Sequence, residues 1–311
     1  MNIKELSEKE MRLASGHRLC PGCGAPIVVK QVLMGTDHDV VIANATGCLE
    51  VSTTIYPFTS WKVPFIHNAF ENAAATMSGV ETAYRSLKKQ GKLKKDKEIR
   101  FVAFGGDGGT YDIGLQSLSG ALERGHKFVY VCYDNEGYMN TGIQRSSATP
   151  YGASTTTAPA GKVHQGKEEY RKDLTSIAVA HRIPYVAQAS ISNWNDLIQK
   201  AQKAFETDGP AFLNVLSPCP RGWRFPDNQT IAIAKLAVAT NFWPLYEVVN
   251  GKYILNYEVK DRKPITDFLK AQGRFSHLFK PENAALLEKI QTDIDRMYNA
   301  IKAKSTLDTT F

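Results

Sequence analysis

The chain has 311 residues, 43% of them hydrophobic and 22% charged, with a net charge of +7. That is enough apolar material for one large domain or two ordinary ones, and no apolar run approaches the roughly 20 residues of a membrane span. The first ten residues mix charges without an apolar stretch, which argues against a secretory signal and for a cytoplasmic protein.

Five cysteines, Cys20, Cys23, Cys48, Cys132 and Cys219, are an odd number for a disulfide framework. Cys20-Pro-Gly-Cys23 points to metal or redox chemistry instead. Ala25-Pro26 opens a helical pattern to about residue 34, with Pro in the first turn. Residues 39–43 read as a buried strand ending at Asn44-Ala-Thr-Gly-Cys48. Residues 49–64 are irregular, and so long an unpatterned stretch is usually functional or an interface. Residues 71–87 read as a helix whose first turns are packed with small residues, as if pressed against another element.

The densest basic cluster, Lys88 to Lys97, falls where a solvated loop is expected and carries no nucleic-acid-binding motif. Docking of an acidic partner is the other reading of the positive charge. Strands follow at 98–104 and 128–133, with a helix at 111–124 between them. A Gly/Ala/Thr/Pro loop spans 151–166, and a helix is predicted at 167–181. Then come a strand at 184–187, a helix at 192–207 capped by Ser192, and a strand at 211–216. Beyond Trp223 the pattern breaks into a helix at 230–239, a hairpin around Asn250-Gly251 and a terminal helix at 281–303.

Alternating strands and helices predict an α/β fold: a mostly parallel sheet covered by helices on both faces. The predicted organisation is a domain over 1–225 and a C-terminal extension over 226–311 that packs on the core or on a partner. In such sheets ligands bind beyond the carboxyl ends of the strands. Asn44–Cys48, Gly105–Gly109, Asp134–Thr141 and Ser217–Pro220 all lie at predicted strand ends.

The turn Gly105-Gly-Asp-Gly-Gly109 lets backbone N–H groups approach phosphate oxygens. A helix N-terminus offers only about half a positive charge, so a diphosphate there calls for a divalent cation with oxygen ligands. Asp107 supplies a carboxylate, Asn135 an amide oxygen and Gly137 a carbonyl. The Asn lies 27 residues past the last Gly of Gly-Asp-Gly, at the end of the next strand. Four cysteines, Cys20, Cys23, Cys48 and Cys219, could share a metal. A zinc site usually draws on two compact pairs; two isolated cysteines favour an iron–sulfur cluster. Thr46-Gly47 reads as a phosphate-contacting turn beside Cys48, which would put cluster and cofactor within roughly 10–15 Å. Cys132, inside a strand, reads as a buried thiol.

Asp107 and Asn135 resemble the thiamine diphosphate motif, whose Asp and Asn bind Mg²⁺. Gly22-Cys-Gly24, Asn44-Ala-Thr-Gly-Cys48, the 105–114 and 133–144 stretches and Pro218-Cys-Pro-Arg-Gly-Trp223 resemble the β subunit of pyruvate:ferredoxin oxidoreductase over nearly the whole chain. The resemblance implies oxidative decarboxylation of a 2-oxoacid on thiamine diphosphate, with electrons leaving through a [4Fe–4S] cluster to ferredoxin and the acyl group passing to coenzyme A. It implies Cys20, Cys23, Cys48 and Cys219 as cluster ligands, and Asp107, Asn135 and the Gly137 carbonyl on Mg²⁺. Thr46, Gly47, Gly106, Gly108 and Thr141 would line the diphosphate, and Asn140 would lie near the reacting carbon. Partner subunits would supply the activating Glu and further clusters; Glu50 and Glu71 read as structural or interfacial. His67 reads as lining the cavity or as a satisfied buried histidine. Pyruvate is the first substrate choice and oxalate, which needs no coenzyme A, the second. A non-oxidative thiamine diphosphate lyase with structural zinc is a more distant alternative, and a basic scaffold or RNA-binding protein a third.

Overall fold

The computed structural model describes residues 2–93 and 98–307. Eight strands form one sheet: β1 (Asp39–Ala45), β2 (Phe65–Asn68), β3 (Ile99–Gly106), β4 (Val129–Asp134), β5 (Tyr185–Ser190), β6 (Ala211–Leu216), β7 (Tyr246–Val249) and β8 (Lys252–Leu255). Their order is β2-β1-β3-β4-β6-β5-β7-β8. The first six are parallel; β7 runs antiparallel to β5, and β8 antiparallel to β7. The predicted α/β architecture is therefore observed.

The central strands are apolar on both faces, as a doubly covered parallel sheet requires. Val102 and Phe104 of β3 join one core with the helices Ala25–Leu33 and Trp194–Glu206. Phe101 and Ala103 face the opposite core with Ala73–Lys89, Leu115–Glu123 and Leu174–Ala180. A third cluster around Trp223, Trp243, Phe268 and Phe275 seats Thr230–Ala239, Ile265–Lys270 and the terminal helix Ala284–Thr306. Residues beyond 225 thus add two strands to the sheet's edge and pack on it. Val249 pairs with Lys252, and Asn250 and Gly251 take φ of 48° and 86°, the primed turn that Asn-Gly predicts.

Several elements differ from the predicted ones. Residues 49–64 are not wholly irregular: Cys48–Thr53 is a short helix, and β2 follows at once after Pro64. The predicted helix at 167–181 is helical only over Leu174–Ala180. Upstream of it, Lys167 turns inward to donate to the Thr149 carbonyl (2.7 Å), and Arg171 turns in to meet buried acids. Helical backbone would carry some of these side chains outward. Ser192 is not the cap: its hydroxyl donates to Asn193 Oδ1 (2.8 Å), and the helix starts at Trp194. The helix after the glycine turn begins earlier than predicted, as a wide π-helical turn over Gly108–Ile113. On the small-residue helix, Ala73, Ala74, Met77 and Ser78 are buried within this chain, while Ala75 and Gly79 are exposed. Lys94, Lys95 and Lys97 of the basic cluster lie outside the described residues.

Candidate functional site

The parallel register brings the carboxyl ends of β1, β3, β4 and β6 to one edge. Gly106 is level with Tyr133, and Asp134 with Leu216. Ser217 N–H donates to the Asp134 carbonyl, which carries the pairing one step past the strand ends. Thr46, at the end of β1, is fixed by two bonds to the Asn68 carbonyl, 2.9 Å from its N–H and 2.7 Å from its hydroxyl.

A cleft opens at this edge. Its lining includes Thr46, Gly47, Cys48, Gly106, Gly108, Asn135, Gly137, Asn140 and Thr141, so most of the predicted cofactor residues converge there. The glycines are needed for space as well as for turning. A Cβ on Gly108 would stand 2.4 Å from the Tyr138 ring, and one on Gly47 would stand 2.9 Å from the Tyr133 hydroxyl. Tyr133, Tyr138, Met139 and Phe70 also line the cleft and carried no signal in the sequence. Asn140 and Thr141 sit exposed at its mouth, where Thr141 donates to Gln144 Oε1 (2.5 Å).

Asp107 is fully buried at the floor. Its Oδ1 accepts from the Asn135 N–H (3.1 Å) and its Oδ2 from the Ser146 hydroxyl (2.5 Å). Burial first, and Asp134 second, hold its carboxyl well above the usual carboxylate range. The side-chain oxygen of Asn135 lies 2.9 Å from Asp107 Oδ1 and 2.9 Å from the Gly137 carbonyl oxygen. A cation lying among these three oxygens would satisfy all of them. Without one, turning the amide over lets its NH₂ donate to both neighbours. The donor set is all oxygen, which suits a hard divalent ion.

The turn carrying Asn135 is tied down by charge. Glu136 adopts a left-handed φ of 65°, uncommon for a residue with a side chain. Its buried carboxylate accepts from Arg171 (2.8 Å) and from Arg274. Arg171 also reaches Asp134 (2.5 Å) and the Tyr111 hydroxyl (2.8 Å), and its guanidinium lies 4.8 Å from the Trp243 ring centre. Trp223 Nε1 donates to the Asn135 carbonyl (2.7 Å). None of these partners was read from the sequence.

Of the four candidate cysteines only Cys48 lines the cleft; Cys20, Cys48 and Cys219 all lie near enough to Cys23 to act on its charge. The Cys20–Cys23 turn is joined to the Cys219 arm by Gly24 N–H to the Pro218 carbonyl (3.2 Å) and by Thr230 Oγ1 to the Gly22 carbonyl (2.5 Å). Gly22 must be glycine here: φ is 72°, and a Cβ would stand 2.1 Å from the Asp227 carbonyl oxygen. The Cys219 sulfur accepts from Gly222 N–H (3.3 Å). Burial pushes the Cys23 and Cys48 thiols up to about 12, and the neighbouring cysteines push the same way. A bound metal would replace that proton and hold the thiolate. Among the described residues, no three His, Cys, Asp or Glu side chains gather closely enough for one ion. Cys132 is fully buried in the core, as expected.

His67 does not line the cleft. Its side chain is 56% exposed, so it is not a buried histidine either, and its Nδ1 lies 2.7 Å from Glu50 Oε1. Glu50 is buried, with the Thr54 hydroxyl donating to it (2.6 Å), and Glu71 is exposed ahead of the Ala73–Lys89 helix. Two roomier surface clefts, around Lys88 and around Asp37, open at the amino ends of the strands, away from this chemistry. No helix among the described residues is long and apolar enough to cross a membrane.

Residues 45–215 match the family of thiamine pyrophosphate enzymes, C-terminal TPP binding domain. The chain is similar to the pyruvate synthase subunit PorB of Thermotoga maritima, at 56% identity covering 97% of this chain and 95% of that one. It is similar to the PorB of Methanocaldococcus jannaschii at 53% identity, covering 92% and 95%. The ketoisovalerate oxidoreductase subunit VorB of Pyrococcus abyssi is 43% identical, covering 93% of each. Among solved structures, the 2-oxoglutarate:ferredoxin oxidoreductase of Magnetococcus marinus superposes with a TM-score of 0.59 over 90% of this chain and 97% of that one. At 20% identity it supports the fold alone. The cradle at the strand ends and these relatives lead to one conclusion: the chain belongs to the thiamine diphosphate-binding β subunits of the pyruvate:ferredoxin oxidoreductase family, and is one subunit of a 2-oxoacid oxidoreductase.

Proposed function

We propose that this subunit oxidatively decarboxylates pyruvate within its complex, holding thiamine diphosphate through Mg²⁺ and passing electrons through a [4Fe–4S] cluster to ferredoxin, with coenzyme A taking the acyl group. The observation that carries the cofactor reading is the facing triad of Asp107, Asn135 and Gly137 oxygens. The Asn135 amide stands 2.9 Å from each of the other two, and Asp107, the Asn135 amide oxygen and the Gly137 carbonyl would together hold a hard divalent cation such as Mg²⁺. Bound thiamine diphosphate supplies the carbanion and the electron sink for decarboxylation.

The chain's own residues do the holding. Gly106 and Gly108 leave room for phosphate oxygens, and the Thr46-Gly47 turn closes on them from β1. Asn140 and Thr141 stand at the mouth, where substrate enters. Cys20, Cys23, Cys48 and Cys219 suit an iron–sulfur cluster better than zinc, because two of them are isolated in sequence and do not form a second compact pair. Cys48 lines the cofactor cleft itself, so cluster and cofactor share a wall. The identity of the relatives favours pyruvate over oxalate. The other subunits complete the site, and the intact complex acts in the cytoplasm.

The test is the anaerobically purified complex, assayed with pyruvate, 2-oxoglutarate and oxalate, with and without coenzyme A. Coenzyme A-dependent reduction of ferredoxin by pyruvate is expected. Turnover of oxalate alone would move the assignment to that acid. In the same preparation Cys219→Ser should lose one cluster's share of the iron and of the absorbance near 400 nm but keep thiamine diphosphate; unchanged iron would refute the ligand set.

A further inference from the structure

The turn Gly273–Phe279 lies outside the matched domain, yet it sends one side chain to both halves of the site. Arg274 is 1% exposed. Its guanidinium donates to Glu136 Oε2, and its Nε to Gln272 Oε1 (2.9 Å). The guanidinium lies 4.1 Å from the Trp223 ring centre.

Glu136 stands between Asn135 and Gly137 in a left-handed conformation, and the Asn135 amide lies 2.9 Å from both Asp107 Oδ1 and the Gly137 carbonyl oxygen. Trp223 closes the ring from the other side. Its Nε1 donates to the Asn135 carbonyl, and its backbone N–H donates to the Cys219 carbonyl (2.9 Å). Arg274 therefore touches the residue that shapes the oxygen triad and the ring whose own backbone closes the Cys219 turn. A buried cation at this place has a second consequence. Charge near an iron–sulfur cluster moves its potential, and a cation favours the reduced, more negative form.

We propose that Arg274 is a positioning residue shared by the two sites: through Glu136 it holds the turn that presents Asn135 and the Gly137 carbonyl, and through Trp223 it holds the turn that presents Cys219. This rests on the reading of those turns as metal and cluster ligands. Arg is suited to the task because one planar fork can bond a carboxylate while its face stacks on an indole.

The experiment compares the parent complex with Arg274→Met, Arg274→Lys, Glu136→Gln and the paired Glu136→Gln/Arg274→Met. Three quantities are read: the dissociation constant of Mg²⁺–thiamine diphosphate, the cluster midpoint by EPR-monitored titration, and the thermal midpoint. Arg274→Met should weaken cofactor binding at least tenfold and lower the cluster midpoint. Arg274→Lys should restore the midpoint but not the affinity, since it keeps the charge and loses the fork. Glu136→Gln should weaken binding and raise the midpoint, and the paired variant should bind better than Arg274→Met alone. A structural role alone would move the thermal midpoint and leave the cluster potential where it was.

Parental affinity together with a parental cluster midpoint in Arg274→Met overturns the proposal, whatever its thermal stability. Should that variant not fold, Arg274→Lys and Glu136→Gln decide by the same two readouts. Parent and Cys219→Ser complexes with the same cluster signals would mean that the cluster reading of this chain had failed; the affinity series then decides the role of Arg274 at the metal turn.

Discussion

Arg171→Met tests whether the charged network beneath the cleft is balanced as the geometry requires. Arg171 donates to Asp134 Oδ2 at 2.5 Å and to Glu136 Oε1 at 2.8 Å, and both acids are fully buried. Glu136 keeps a second cation in Arg274; among the described residues Asp134 has no cation but Arg171. Met fills much of the aliphatic stem's space, so the loss falls on charge more than on packing. Removing one partner of a buried ion pair costs about 3–5 kcal/mol, because the other is left uncompensated. For a chain of this length that is a fall of roughly 6–10 °C in thermal midpoint, at about 2 °C per kcal/mol. Denaturant unfolding of the metal-free subunit measures it, with the slope checked to be unchanged. Asp134→Asn/Arg171→Met should recover at least half of the loss by removing the orphaned charge. If Arg171→Met lies within about 1 kcal/mol of the parent, or the paired variant is no better than the single one, the account of the network is wrong.

Asp107→Asn should weaken Mg²⁺–thiamine diphosphate binding by more than about 100-fold, since even outer-shell partners of a metal are worth about 10- to 100-fold. Calorimetric titration measures it, and magnesium-dependent binding that survives would sink the triad. The same change should not lower the thermal midpoint of the metal-free chain, because it removes a buried charge that burial and Asp134 already disfavour. Tyr133→Phe should weaken cofactor binding roughly threefold to tenfold, the worth of one hydrogen bond. The ring is 1% exposed, and its hydroxyl lines the cleft beside Gly47 without a hydrogen-bond partner among the described residues. Equal affinity in the two proteins would remove that hydroxyl from the cradle. Burial lowers the Lys167 ammonium to about 8. Between about pH 8 and 10 the unfolded chain therefore holds a proton that the folded chain has lost, so stability rises with pH across that window. Lys167→Met should flatten this slope in denaturant titrations; parallel slopes for parent and variant would contradict it.

What was legible in the sequence was carried by short-range signals. Alternating apolar runs and helical patterns fix the parallel sheet, and Asn250-Gly251 fixes the hairpin because few other pairs accept two positive φ values. The Gly-Asp-Gly turn was readable because its glycines answer a local need for space beside Tyr138 and Tyr133. Strand β2 was missed because four residues between Pro64 and a loop leave too short a pattern to separate from irregular chain. The 167–181 region was misread for a different reason. Lys167, Arg171 and Lys172 look like the solvated side of a helix until their partners are known, and the partners of Arg171 lie 35 and 37 residues away.

The same distinction separates the two layers of the site. Residues that would touch phosphate, metal or iron announce themselves by type and by position at a strand end: Asp107, Asn135 and the four cysteines. Residues that hold those in place do not, because a buried arginine has no local pattern and its acid can sit anywhere in the chain. Glu136 meets Arg274 across 138 residues. Yet Glu136 offers one clue that physics could have used. It is a charged residue directly between two metal-ligand candidates at the end of a strand buried on both faces, a place too dry for an unpaired carboxylate. Such a residue demands a buried cation, and the sequence contains that cation even though it cannot say which one it is. The matched domain ends at residue 215, so a search confined to it would have stopped short of Arg274. The segment beyond 225 completes the sheet's edge and also closes the charge balance under the cofactor turn.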